Sequence, residues 1–385
     1  MRRYIFLIRI IFVGVLAHAY VGARLIPDAP ISPAARWAAL CFLLLSCLVI
    51  PAGFLSRRLP RRFSEVFGWI GLLLMGYFSS LFVLTLLRDV ALLAIWLAGA
   101  LSGRALPGAG TLADTAIAVP LLALCSSLLG LYNARRRAPV RTVDVPIAGL
   151  PAGLQGFTIA QITDVHVGPT IKGRYVDAIV DAVNALQADL IAVTGDVVDG
   201  SVARLSNHTR PLGRLQARHG AFLVTGNHEY YSGADAWVAE FERLGLNVLL
   251  NRHVVIDHGG ARLVVAGVTD YGAGAYDPAQ ESDPEKALAG APADVNVRIL
   301  LAHQPRSAFA AEPAGFTLQL SGHTHGGQFL PWNFFVRLQQ PFTAGLRRLG
   351  RLWVYTSRGT GYWGPPKRVG APSEITHIRL VAGGA

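Results

Sequence analysis

Five short polar clusters, each directly after an apolar run, constrain the fold of this 385-residue chain more than any other feature. The apolar runs have the length and composition of buried β-strands. Polar residues at the carboxyl ends of such strands converge on one edge of a sheet, where open α/β folds place their sites. The clusters contain eight side chains of metal-binding type, namely Asp164, His166, Asp196, Asn227, His228, His303, His323 and His325.

Strands and helices alternate through the second half of the chain. Val, Ile, Leu and Ala runs predict strands over residues 158–163, 189–194, 221–225, 262–268, 297–302, 317–320, 352–356 and 374–381. Apolar residues at helical spacing predict helices over residues 175–186 and 234–244. This alternation predicts an α/β domain over residues 151–385, which a basic linker at residues 134–150 joins to the preceding segments.

The first 133 residues are predicted to form a transmembrane region. Four segments approach the roughly 20 apolar residues that a spanning helix needs, at about residues 4–23, 34–54, 66–87 and 112–132. Residues 90–101 are also apolar and either extend the third helix past Arg88 and Asp89 or lie at the membrane interface. The chain is therefore expected to be an integral membrane protein, with the bacterial inner membrane as its location.

Basic residues predict the orientation and argue against nucleic-acid binding. Residues 1–141 contain 15 Lys and Arg but only 4 Asp and Glu, whereas the rest of the chain is balanced. Arginine clusters at residues 2–3, 57–62 and 135–141 alternate across the four segments, which predicts a cytoplasmic catalytic half. Export of that half is the alternative, because residues 1–19 also resemble a secretion signal, including a twin-arginine pair.

The residue types in the clusters suit two metal ions. Imidazole, carboxylate and amide ligands bind divalent cations such as Mn, Fe, Zn or Co, and a carboxylate is the natural bridge between two of them. Two cations about 3.5–4 Å apart can activate a water molecule and stabilise the charge on phosphoryl oxygens. The clusters therefore indicate a hydrolytic dinuclear site for a phosphate-containing substrate.

The order of the motifs resembles that of the calcineurin-like metallophosphoesterases. The motifs are Asp-x-His at 164–166, Gly-Asp-x-x-Asp at 195–199, Gly-Asn-His-Glu at 226–229, His303, and Gly-His-x-His at 322–325. The resemblance covers about residues 155–382 and is strongest to the membrane-attached bacterial branch typified by YaeI and YkuE. It implies a four-layer α/β/β/α sandwich with two mixed sheets.

The resemblance also implies residue roles. One ion would be held by Asp164, His166 and His325, a second by Asn227, His303 and His323, with Asp196 bridging them. His228 would be the catalytic histidine that binds the phosphate or protonates the leaving oxygen, and Asp199 would orient it. The implied reaction is hydrolysis of a phosphodiester or pyrophosphate bond by a hydroxide that bridges the metals.

Two positions at which this chain differs from phosphoprotein phosphatases bear on how it would bind the phosphate of its substrate. Phosphoprotein phosphatases have arginines where this chain has Gly200 and Thr225, so any arginine clamp comes from elsewhere, and Arg358 and Arg368 are the candidates. The segment after His325 alternates aromatic residues with arginines, a pattern typical of a membrane interface. The aromatic residues predicted to form this membrane or substrate surface are Phe329, Trp332, Phe334 and Phe335.

Three functional classes are compatible with these patterns. A membrane-anchored phosphoesterase acting on a lipid-linked or membrane-proximal substrate is favoured, with the phospholipid membrane as partner. A membrane sensor or binding protein with a structural metal site is the second class, although such a site needs neither His228 nor Asp199. A nuclease of the same superfamily is the third, and the neutral catalytic half weighs against it.

Overall fold

The computed structural model describes residues 2–55, 60–103 and 107–383, which belong to two compact units. The first unit comprises Met1–Tyr132 with Gly364–Lys367, and the second comprises Asn133–Trp363 with Arg368–Ala385. Four long helices are found in the N-terminal part of the chain: α1 (Arg2–Leu25), α2 (Pro33–Leu55), α3 (Arg61–Ser102) and α4 (Ala109–Arg135).

Three of these helices contain segments long and apolar enough to cross a membrane, which are Pro33–Gly53, Phe63–Ser102 and Ala109–Arg135. The described apolar part of α1, Ile11–Leu25, is shorter than a full span. An apolar helical N-terminal region is thus confirmed, whereas the predicted number of four spans is not confirmed among the described residues. Arg57 and Arg58, used above to predict orientation, lie outside the described residues.

Helix α3 does not end near residue 87, because the charges that follow are paired. Arg88 is buried and forms an ion pair with Asp28 at 2.5 Å, while Arg24 forms one with Asp89 at 2.8 Å. With both charges satisfied inside the unit, the helix continues through residues 90–101. Its 42 residues correspond to a length of about 60 Å, roughly twice the hydrocarbon thickness of a bilayer.

The second unit contains two six-stranded mixed sheets, as predicted. The first sheet has the strand order β1-β12-β2-β3-β4-β5 and the second β10-β11-β9-β8-β7-β6. The strands are β1 (Val140–Ala148), β2 (Thr158–Ile162), β3 (Leu190–Val193), β4 (Ala221–Leu223), β5 (Asn247–Val248), β6 (Arg252–His258), β7 (Ala261–Gly267), β8 (Arg298–Leu301), β9 (Leu318–Ser321), β10 (Gly345–Leu349), β11 (Leu352–Thr356) and β12 (Ile375–Gly383).

Three apolar clusters hold the layers of this unit together. Residues of both sheets, such as Ile159 and Leu301, form one cluster, which lies between the sheets. A second cluster joins the first sheet to helices, and a third includes Ala308 and residues of the second sheet. The helices of this unit are α5 (Gly173–Asn184), α6 (Val202–Thr209), α7 (Asn227–Ser232), α8 (Ala234–Arg243), α9 (Pro284–Leu288), α10 (Ala308–Ala311) and α11 (Trp332–Phe335).

The predicted linker at residues 134–150 is wrong in most of its length, because it contains β1. This strand pairs in parallel with β12 over nine residues, and its alternate residues Val145 and Ile147 are buried. Pro146 had suggested a linker, yet proline is tolerated on an edge strand, where one side of the backbone needs no partner. Strands β5, β6 and β10 were also not predicted.

Candidate metal centre and active site

All eight metal-type side chains are in the segments that follow five strands, with Asn227 and His228 at the start of α7. The loops after β2, β3 and β4 belong to the first sheet, and those after β8 and β9 to the second. Left-handed backbone angles, with φ between 50° and 69°, occur at Asp164, His166, Asp196, His323 and His325. Such conformations are unfavourable for residues other than glycine and are concentrated at functional sites.

The first group of side chains consists of Asp164, His166 and His325. The Nε2 atoms of the two histidines lie 3.1 Å apart, and His325 Nε2 is 3.4 Å from Asp164 Oδ1. All three residues are buried, and one ligand atom from each lies within 4.8 Å of the others. Two imidazole nitrogens and a carboxylate around one point form a suitable donor set for a divalent cation.

The second group consists of Asp196, His303 and His323, with Asn227 contributed by the next loop. His303 Nε2 lies 3.1 Å from Asp196 Oδ2 and 3.2 Å from His323 Nδ1. The Oδ1 atom of Asn227 is buried and has no hydrogen-bond partner among the described residues. A buried carbonyl oxygen without a partner is unfavourable, so this atom fits a site that is completed by a cation.

Asp196 lies between the two groups. Its Oδ2 atom is 3.1 Å from His303 Nε2 in the second group and 3.8 Å from His166 Nε2 in the first. Burial opposes ionisation of Asp196, but the charges of His303 and His228 hold its pKa well below the ordinary value. The carboxylate of Asp196 is therefore ionised, and it lies close to both groups. A ligand that bridges two cations requires this charge and this position.

His228 is close to both groups and is held by Asp199. Asp199 Oδ1 lies 2.5 Å from His228 Nδ1 and 3.1 Å from His166 Nδ1. Since a carboxylate only accepts hydrogen bonds, both Nδ1 atoms donate to it. This leaves the Nε2 atoms of the two rings directed at Asp196, with His228 Nε2 3.9 Å from Asp196 Oδ2.

The charges around His228 favour its protonated form. Burial lowers the pKa of this histidine, but the neighbouring carboxylates of Asp196 and Asp199 outweigh burial and raise the pKa to about 9. His166 and His228 in turn lower the pKa of Asp199, against the effect of burial. The arrangement thus pairs an ionised acid with an imidazole that can carry a proton.

Glu229 has a role that the motif pattern did not reveal. Its buried carboxylate accepts hydrogen bonds from the backbone amides of Asp196, Val197, Val198 and Gly226, at 2.7–3.2 Å. It therefore joins the loop after β3 to the loop after β4. Its place in the Gly-Asn-His-Glu motif, one residue after His228, was the signal that could have indicated it.

The two predicted substrate-binding arginines occupy different positions. Arg368 is only 1% exposed, and its guanidinium donates to the carbonyls of His325, Arg358, Gly361 and Ala371 and to Nδ1 of His325. This placement disagrees with a phosphate clamp and instead makes Arg368 a residue that holds the backbone. Arg358 is partly exposed, and its Nη1 atom is 2.9 Å from Glu374 Oε2.

Of the four aromatic residues predicted to form a membrane or substrate surface, three are exposed and one is buried. Trp332, Phe334 and Phe335 on α11 are 43–60% exposed, which agrees with a surface role. Phe329 is only 6% exposed, so its assignment to the surface is wrong. Its backbone pairs with residues 369 and 370, which turns its side chain into the interior.

Comparison with known proteins gives this site a family. The model of the calcineurin-like phosphoesterase family matches residues 157–327. An uncharacterized metallophosphoesterase of Campylobacter jejuni is 31% identical over 95% of this chain and 95% of its own length. YkuE of Bacillus subtilis, an uncharacterized metallophosphoesterase, is 30% identical over 60% of this chain and 81% of its own length.

A vertebrate relative is named for both a transmembrane part and a metallophosphoesterase domain. The transmembrane protein with metallophosphoesterase domain from Danio rerio is 36% identical over 70% of this chain, and the match spans 63% of that protein. The chain therefore belongs to the calcineurin-like phosphoesterase family, in the branch that includes YkuE. Family membership and the apolar helices together define the class of the protein as a membrane-associated metallophosphoesterase. The match covers less than two thirds of the length of the Danio rerio relative.

Proposed function

We propose that this chain is a membrane-anchored phosphoesterase that uses two divalent cations to hydrolyse a phosphodiester or pyrophosphate bond. The observation that carries the proposal is the position of His228 beside Asp196 and His166, with Nδ1 bound to Asp199. A purely structural metal site would need its ligands only. An additional imidazole, oriented by a carboxylate and directed at the same centre, suits proton transfer.

The residues divide into those that would hold cations and those that would act on substrate. Asp164, His166 and His325 would hold one cation, Asn227, His303 and His323 the other, and Asp196 would contact both. When bound, the cations would lower the pKa of water and neutralise charge on the phosphoryl oxygens. Mn, Fe, Zn and Co all suit this mixture of ligands.

His228 would act on the leaving side of the reaction. Water would add to phosphorus and lose a proton to solvent, the bond between phosphorus and the leaving oxygen would break, and the imidazolium of His228 would transfer its proton to that oxygen. His228 would then regain a proton from solvent. Asp199 keeps the remaining ring proton on Nδ1, so that Nε2 performs the transfer. This general-acid step is expected to contribute about 10²–10⁴-fold in rate.

A substrate at the membrane surface is supported by the position of α11. Its three exposed aromatic residues directly follow the loop that bears His325, and Arg337 beside them is also exposed. Aromatic rings and arginines together are typical of the boundary between headgroups and acyl chains. We therefore propose a lipid-linked or membrane-proximal phosphate ester, four membrane spans and a cytoplasmic catalytic domain, with the exported orientation as the alternative.

Hydrolysis of bis-p-nitrophenyl phosphate by the detergent-solubilised protein tests the chemistry. We expect Mn²⁺-dependent activity that EDTA removes and that falls below 1% in both Asp196→Asn and His228→Ala, a loss of the size expected for a general acid. Bound metal should decrease in Asp196→Asn but remain in His228→Ala. A wild-type protein that binds two metals but cleaves no phosphate ester would instead indicate a metal-stabilised binding protein.

A second experiment tests the membrane substrate. Trp332, Phe334 and Phe335 are replaced together by Ser, and activity is measured on a phosphodiester embedded in anionic vesicles and on a small soluble one. We expect a roughly tenfold loss on vesicles and little change on the soluble ester, because burial of aromatic area would be lost. Phe309→Ser, at an exposed aromatic on α10, is the matched control, and equal losses on both substrates would contradict the proposal.

A further inference from the structure

An exposed group of aromatic rings lies beside the catalytic histidine. The ring centroid of His228 lies 5.1 Å from that of Tyr231 and 5.9 Å from that of Trp363. Tyr231 in turn lies 6.0 Å from Tyr276. Whereas His228 itself is buried, these three aromatic residues are 41–57% exposed, so they present ring surface to the solvent beside the group that donates the proton.

Hydrogen bonds hold the backbone of Trp363 and the side chain of Tyr230, which is the sequence neighbour of Tyr231. The side chain of Gln328 pairs with the backbone of Trp363, accepting from its amide at 2.9 Å and donating to its carbonyl at 2.8 Å. Tyr231 is on α7, the short helix that begins at Asn227, so its position is tied to the metal-type loop. Tyr230, also on α7, donates to Gln280 at 2.7 Å and packs on Tyr276.

Exposed aromatic side chains in such a place need an explanation, because two of them, from different parts of the chain, adjoin one catalytic group, and a third packs on one of these two. The interior of the unit does not require them, since each has a large exposed fraction. Aromatic faces bind flat rings by offset stacking or edge-to-face contact, and stacking of a base on one aromatic side chain is favourable whatever the base.

We propose that Tyr231 and Trp363, with Tyr276 beside them, form a binding site for a planar ring on the leaving group of the substrate. This inference rests on the proposed function, in which His228 protonates the leaving oxygen. The group attached to that oxygen then lies next to the rings that adjoin His228. An aryl group and a nucleobase share this chemistry, and either would stack on the exposed faces.

Two esters of similar leaving-group acidity test the site. Methyl phenyl phosphate carries a planar leaving group, and methyl hexafluoroisopropyl phosphate carries a compact fluoroalkyl one. For each protein variant, kcat/KM is measured on both esters and expressed as the ratio of phenyl to fluoroalkyl. We expect this ratio to fall about tenfold in Tyr231→Leu and in Trp363→Leu, the size expected for loss of one stacking contact.

Matched variants separate stacking from other effects. Tyr231→Phe and Trp363→Phe retain a ring and should keep most of the wild-type ratio, and Phe309→Leu should keep all of it. An unchanged ratio in both leucine variants would overturn the proposal, as would an equal fall in Phe309→Leu. Equal loss on the two esters would show that the rings act on His228 and not on the leaving group.

Failure of the proposed function has a different outcome. If the wild-type protein cleaves neither ester, the phosphoesterase proposal fails, and the ring site is tested by binding alone. Calorimetric titration of the metal-loaded protein should then give a lower Kd for diphenyl phosphate than for dibutyl phosphate. Tyr231→Leu should remove that difference, and equal affinities in the wild-type protein would reject the ring site.

Discussion

Two buried ions of opposite charge hold the backbone on the two sides of the site. Burial and Asp196 raise the pKa of Glu229, on the side of the first sheet, to about 7. Its two oxygens nevertheless accept hydrogen bonds from four backbone amides, and these donors favour the ionised carboxylate. Arg368 donates to four backbone carbonyls in the loops that follow β9 and β11, on the side of the second sheet. Each ion thus satisfies the type of backbone group that its charge attracts.

The contacts of Glu229 and Arg368 differ, and the difference shows how the loops with left-handed backbone angles are kept in place. Asp196 and His325 both have left-handed backbone angles, which are unfavourable for these residues. Glu229 binds the amide of Asp196, whereas Arg368 binds the carbonyl of His325 and also its ring. The anion therefore acts on backbone alone, and the cation acts on backbone and on one metal-type side chain.

Arg368→Met is expected to have the largest effect on stability. It leaves four buried carbonyls without their donor, and loss of hydrogen bonds to a buried charge is expected to lower the free energy of unfolding by about 3–5 kcal/mol. The melting temperature of the detergent-solubilised chain should fall by roughly 10 °C. Arg379→Met removes an exposed pair with Asp144 and should change the melting temperature little. Equal shifts in the two variants would refute the anchoring role of Arg368.

Glu229→Gln should destabilise the protein somewhat less. The glutamine keeps one carbonyl oxygen, but its NH₂ group would face two backbone amides that now donate to the carboxylate. We expect a loss of about 2–3 kcal/mol, from the penalty for unsatisfied buried donors. Thermal unfolding should show it, with Glu242→Gln on the exposed surface as control. A melting temperature like that of wild type would mean that the four amides find other partners.

Asp199→Asn separates side-chain positioning from backbone anchoring. Asp199 contacts the rings of His228 and His166, so its replacement should lower kcat about 100-fold by permitting the wrong tautomers. The melting temperature should change by only a few degrees, unlike that of the two anchor variants. The activity is measured on bis-p-nitrophenyl phosphate. A large fall in melting temperature with intact kcat would place Asp199 among the backbone anchors instead.

The sequence predicted the site better than it predicted the ions that hold it. Asp164, His303 and the other clustered residues were found because each follows an apolar strand, and parallel strands place their carboxyl ends on one edge. Arg368 gave no comparable signal. Its chain position near a glycine-rich loop fits a phosphate clamp or a backbone anchor equally, and only its burial distinguishes the two.

The same limit explains the errors in the fold. Val145 and Ile147 alternate as a strand should, but Pro146 and the preceding arginines suggested a linker until the pairing with β12 was known. Arg88 left the end of the third helix open between residue 87 and an extension through residues 90–101, because its partner Asp28 is 60 residues away in the sequence. In each case the deciding interaction joins residues distant in the chain, which local periodicity does not report.

Thr163→Val should have the smallest effect, because the Thr163 hydroxyl has a single proton, shared between Asp164 and the carbonyl of Thr194, whereas each anchor makes four hydrogen bonds to the backbone. Its hydroxyl lies 2.8 Å from Asp164 Oδ2, in the first metal-type group. Removing one such bond costs about 1 kcal/mol, or roughly fivefold in an equilibrium constant. The Mn²⁺ concentration for half-maximal hydrolysis should rise by that factor, with little change in melting temperature. Thr163→Ser retains the hydroxyl and should behave as wild type, so a similar rise in both variants would show that the methyl group, and not the hydrogen bond, matters.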